Sequence, residues 1–201
     1  MLTTTQLVLV LALATGLVAL SARRLAALGL AIQFILSALL LGPVMLQPVL
    51  IARLSLGLAA CLILFLSATA LARAQRSRMR AGAPPLARMG SLFGLLCVAL
   101  AGFVATGIYR AFPLPGLPEE ITLASYWLVM AGLLLATMEG SVLSQGLAAM
   151  TALNGFGVVF LRLESGLLMI GLLSLLEIGL ALTVAVLSDQ QTESLSRPEL
   201  D

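Results

Sequence analysis

Seven apolar stretches alternate with short polar breaks along this chain, at about 6–22, 25–41, 49–72, 91–109, 121–138, 142–161 and 166–187. Each is close to the roughly 20 residues that an α-helix needs to cross a bilayer. None shows the strict apolar–polar alternation of a half-buried strand. The breaks are the kind that end helices. Arg23-Arg24 closes the first stretch, Pro43 and Pro48 bracket the second turn, and Gly82, Pro84 and Pro85 interrupt a basic segment from Arg73 to Arg88. Pro113, Pro115 and Pro118 forbid a helix through the next connection, since proline lacks the N–H and clashes with the preceding turn. Turns follow at Glu139-Gly140 and at Arg162–Glu164. The pattern predicts an all-α polytopic transmembrane bundle of about seven helices. Its parts are a three-helix segment (1–72), a basic loop (73–90), a four-helix segment (91–187) and a polar, mobile tail (188–201).

Composition sharpens this picture. Of 201 residues, 61% are hydrophobic and 10% charged, with a mean hydropathy of +1.13. A water-soluble domain is about one quarter charged, so lipid has to replace water over most of this surface. Arg73, Arg76, Arg78 and Arg80 form the densest charge run, expected to contact lipid head groups or a partner and to orient the chain. With three helices before that run, it shares a side with Arg23-Arg24. Both basic segments are then cytoplasmic, the 43–48 turn is external, the N-terminus lies outside and the C-terminus inside. The start, Met1-Leu2-Thr3-Thr4-Thr5, carries no basic side chain, and the Arg pair follows the apolar run. That order suits an anchored first helix rather than a cleaved signal. The expected location is a bacterial inner membrane.

The chemistry the chain lacks narrows its function. It has no His, and all eleven basic residues are Arg. Cys61 and Cys97 stand in apolar runs, where a thiol is ordinarily a small buried hydrophobe. No metal-ligand spacing, phosphate-binding loop or nucleophile elbow is present. We expect no catalytic residues, no cofactor, no metal, no nucleic acid and no soluble small-molecule substrate.

The polar groups inside the apolar runs are the candidates for function. Glu177 stands near the middle of the seventh stretch. A carboxylate at that depth costs at least a few kcal/mol, so it faces the bundle or carries a proton, and either state suits a proton relay. Gln33, Gln145 and Asn154 complete the relay candidates. Their ordinary role is interhelical hydrogen bonding, and with water such groups also conduct protons. Arg53, near the outer end of the third stretch, is expected to snorkel to the interface. No paired charges inside the bundle are evident.

Several local strings resemble one family. Arg24-Leu25 followed by Gly29 and Gln33, the exit Thr69-Ala70-Leu71-Ala72-Arg73, Asn154-Gly155 and Ile170-Gly171 look like the corresponding helices of membrane component E of hydrogenase-4 and related formate hydrogenlyases. The region 121–187 is also similar to the small K-type subunit of respiratory complex I. The resemblance implies a non-catalytic membrane subunit packed beside larger antiporter-like subunits and scaffolding or contributing to a proton or ion path. The chain departs from the family at its proton-carrying groups. The third-helix Lys falls near Ala60 and the sixth-helix Glu at Leu153. The Glu of a Glu-Ile-Gly string is Met169 in one register, while a literal Glu177-Ile178-Gly179 stands in another. These departures favour scaffolding. The alternative from another class is a small independent transporter or channel.

Overall fold

The computed structural model describes residues 4–20, 23–42, 47–80, 91–114, 116–138, 141–163 and 166–196. Among them are seven helices and no strand: α1 (Thr4–Leu20), α2 (Arg23–Leu41), α3 (Gln47–Arg80), α4 (Ser91–Ala111), α5 (Glu119–Met138), α6 (Val142–Leu163) and α7 (Leu167–Ser196). The expected all-α membrane bundle is the observed fold. Four segments are long and apolar enough to cross a membrane: Gln47–Arg73, Glu119–Thr137, Val142–Leu161 and Leu168–Gln191. Leu25–Leu41 and Leu96–Ala111 are shorter apolar helical segments.

Two boundaries differ from expectation. Helix α3 continues through Arg73, Arg76 and Arg78 to Arg80, so the first half of the basic loop is helical. Helix α7 continues to Ser196, through most of the segment expected to be a mobile tail. Positions 81–90 and 197–201 of those two segments lie outside the described residues.

The bundle exposes large apolar side chains and keeps a set of polar ones inside a mainly apolar core. Leu13, Phe103, Leu168 and Leu175 are exposed on its surface, while Thr15, Gln33, Ser37, Arg53, Asn154 and Glu177 are buried. A soluble protein reverses this arrangement. Lipid tails solvate the outer leucines, and the polar side chains bond between helices, where hydrocarbon would leave them unpartnered.

Small residues set the closest helix approaches. A Cβ on Gly132 of α5 would lie 2.5 Å from the backbone N of Ala152 in α6, and one on Gly155 of α6 would lie 2.6 Å from Leu128 Cβ in α5. Both glycines therefore let the α5–α6 backbones touch. Ser125 Oγ crosses the same seam and donates to the Gly155 carbonyl at 2.7 Å. Helices α3 and α7 run in the same direction. Val49 packs with Ile170 and Leu173 near their first turns, and Ala68 and Leu71 share a buried cluster with Ala181 and Val184 further along. This parallel pairing brings Arg53 and Glu177 together.

Candidate functional site

Glu177 is fully buried on α7, nine residues into the Leu168–Gln191 span, about 14 Å along the helix from its start. Its neighbours Leu175 and Leu176 point outward and are exposed, as the 100° helical step requires. The inward position puts the carboxylate against α3. Arg53 meets it there, with Nη1 2.5 Å from Oε2. Arg53 is itself buried, which corrects the expectation that it snorkels to the interface. Its stem turns inward because three helices offer it a better environment than the head groups do. Glu177 supplies a counter-charge. The Phe34 ring of α2 lies under the guanidinium, 5.3 Å from Cζ to ring centroid. Gly157 of α6 leaves space, since a Cβ there would stand 2.7 Å from Arg53 Nη2. Phe34 in turn packs onto Gly57, one turn beyond Arg53 on α3. The bundle thus holds a paired charge between α3 and α7 that the sequence pattern did not disclose.

Gln33 and Asn154 belong to the adjoining polar layer. Gln33 Nε2 donates to Thr15 Oγ1 of α1 at 3.0 Å, and Thr15 Oγ1 donates onward to the Leu11 carbonyl at 2.9 Å. The other end of the Gln33 amide, Oε1, is 3.2 Å from Thr151 Oγ1 of α6. That hydroxyl is also 3.0 Å from the Leu147 carbonyl. The amide of Gln33 thus joins α1, α2 and α6. Asn154 lies nearly one turn further along α6, where Ser37 Oγ of α2 donates to its Oδ1 at 3.0 Å.

The structure therefore sets Glu177 against Arg53 between α3 and α7 and places Gln33 and Asn154 in a hydrogen-bonded layer across α1, α2 and α6, with Phe34 of α2 between that layer and the guanidinium. It does not bring in Gln145, which is exposed in the first turn of α6. Its place is the bundle's surface, because the inward face of that turn is taken by Leu143 and Gly146. Arg73 is exposed on α3. Arg76, Arg78 and Arg80 follow on the same helix, with side chains outside the described residues. The residues that sequence reasoning missed are Arg53, Thr15, Ser37 and Thr151. A helix-register comparison of α3 with α7 was the available signal for Arg53. The hydroxyl residues carry none, because Ser and Thr also satisfy themselves within their own helix.

Among the described residues, no group of three or more His, Cys, Asp or Glu side chains is placed to hold a metal ion. Chemically, these buried groups can hold a proton or exchange one between Glu177 and a neighbouring hydrogen-bonding group. They can also act as a polar clamp between helices. Comparison with family models, curated proteins and solved structures found no match to this chain.

Proposed function

We propose that this chain is a non-catalytic integral membrane subunit of a complex I-like or energy-converting hydrogenase-like assembly. In this reading it packs beside larger antiporter-like subunits and scaffolds or contributes to a proton path. The observation that carries the reading is the Arg53–Glu177 pair, buried at depth between two membrane-length helices beside a layer of buried polar side chains. Intramembrane ionisable residues are rare because they are costly, and they mark ion or proton pathways. The local strings that resemble component E of hydrogenase-4, and the broad apolar exterior, support membrane partners. A bacterial inner membrane with the N-terminus outside belongs to the same proposal, as does the absence of enzymatic chemistry.

The pair also favours a second reading, a small independent transporter. Paired charges inside the bundle are what such a protein needs. Isolation in a mild detergent separates the two. A subunit migrates on a native gel with several larger membrane chains and a redox-active arm. A stable oligomer of this chain alone would overturn the assembly reading in favour of the transporter.

A further inference from the structure

The buried polar groups divide into two halves with different hydrogen-bond accounts. Every polar side-chain atom of the Thr15–Gln33–Thr151 half has at least one partner among its own members and the helix carbonyls. In the other half, Arg53 Nη1 and Glu177 Oε2 meet each other, while Arg53 Nη2, Glu177 Oε1, Ser174 Oγ and Asn154 Nδ2 are buried with no hydrogen-bond partner within the protein. The Arg53–Glu177 contact is close, but charges in contact do not use all their hydrogen-bonding directions. A side-by-side guanidinium and carboxylate engage two N–H groups at most, and a guanidinium has five.

These groups stand on neighbouring turns of α3, α6 and α7. Ser174 is one turn before Glu177 on the same face of α7, and both are buried. Asn154 is three residues before Gly157 on α6, and Gly157 lies against Arg53 Nη2. Turning the Asn154 amide over exchanges which of its atoms is bonded to Ser37, and one amide atom stays unpartnered either way.

The chemistry of the groups selects the occupant. Donors and acceptors are both unsatisfied, so the ligand must accept and donate. Glu177 repels an anion and Arg53 repels a cation, so the ligand is neutral and small. Buried water has these properties and makes about three hydrogen bonds to otherwise unsatisfied groups. We infer that Arg53, Glu177, Ser174 and Asn154 form a buried hydration site holding ordered water between α3, α6 and α7. The inference rests on interior geometry and stands apart from the assembly reading. Where Glu177 exchanges a proton, its immediate partner is this water and not Gln33.

Radiolytic hydroxyl labelling in ¹⁸O water tests it, with the full chain in lipid nanodiscs. Trapped water labels the nearest aromatic ring, and Phe34 is buried beside the guanidinium. The expected result is ¹⁸O incorporation at Phe34 in the native chain and its loss in the double variant Arg53→Met with Glu177→Leu. No incorporation at Phe34 in the native chain overturns the inference, as does equal incorporation in native and double-variant chains. Should the double variant not fold, Ser174→Ala is expected to lower the label while Thr15→Val leaves it unchanged, and equal labelling in those two overturns it as well. Suppression of the label by added chloride would identify an anion in place of water and overturn it too.

Discussion

A buried ion pair holds its two residues hostage to each other. Arg53 and Glu177 were each taken out of water at a cost of several kcal/mol, offset by their mutual attraction and by Phe34 beneath the guanidinium. Removing one partner leaves the other charged and alone. Arg53→Met is therefore expected to lower stability by about 3–5 kcal/mol. The double variant Arg53→Met with Glu177→Leu should recover most of that loss, because apolar replacement of a whole buried pair is often neutral or better. Thermal unfolding midpoints in detergent measure both, and a double variant no more stable than the single would show that the pair is not coupled. Function is tested at the same residue. Glu177→Gln keeps the side chain's shape but removes the counter-charge of Arg53, so it should lower the unfolding midpoint as Arg53→Met does and, in the fraction that assembles, reduce proton translocation if the carboxylate relays. Full translocation in an assembled Gln variant would end the relay role. Glu177 was readable in the sequence because a carboxylate within a run of leucines has no easy explanation. Arg53 was not, since six residues from the start of α3 it is within snorkelling reach of the interface. Only its partner on a helix more than a hundred positions away decides its direction.

At the scale of helices, hydropathy locates the membrane and helix propensity locates the helix, and the two need not end together. The expected edge of the third stretch at residue 72 was the apolar edge. The residues beyond it, Ala72-Arg73-Ala74-Gln75-Arg76, are good helix formers, and no Gly or Pro intervenes before Gly82. Helix α3 accordingly continues to Arg80. Likewise no Gly or Pro interrupts α7 between Ser188 and Ser196. The expected ends inside the apolar runs held within a few residues, because there the two signals agree. The structure divides the glycines by what surrounds them. Gly132 and Gly155 sit against the facing backbone, whereas Gly171 and Gly179 have nothing within 4 Å of an added Cβ. Gly132→Val and Gly155→Val should each cost about 1–3 kcal/mol or more by pushing α5 from α6. Gly171→Ala and Gly179→Ala should be neutral or stabilising by roughly 0.5–1 kcal/mol through lower backbone entropy in the unfolded chain. If all four substitutions shifted the unfolding midpoint alike, the α5–α6 contact would not be set by its glycines.

The whole molecule is an apolar surface around a set of buried polar groups, with its densest positive charge on the last turns of α3. Insertion has to choose which side receives Arg73, Arg76, Arg78 and Arg80. Moving several arginines across a bilayer is costly, and basic segments remain on the cytoplasmic side. Because α3 carries these residues on a continuous helix, their side is fixed by the direction of α3 and not by a loop free to fold back. Reporter fusions after residues 24 and 80 should both read cytoplasmic, and a fusion at Gln47, which opens α3 at its other end, should read external. A cytoplasmic reading at Gln47 would sink this topology. The charge itself is the last thing to test. Replacing the four arginines by Gln preserves helix propensity and removes the orienting signal, so the same fusions should give mixed readings and the chain should pair less firmly with lipid head groups or a partner. Uniform readings together with unchanged assembly would mean that Arg23 and Arg24 orient the chain by themselves, and that the basic end of α3 has neither role.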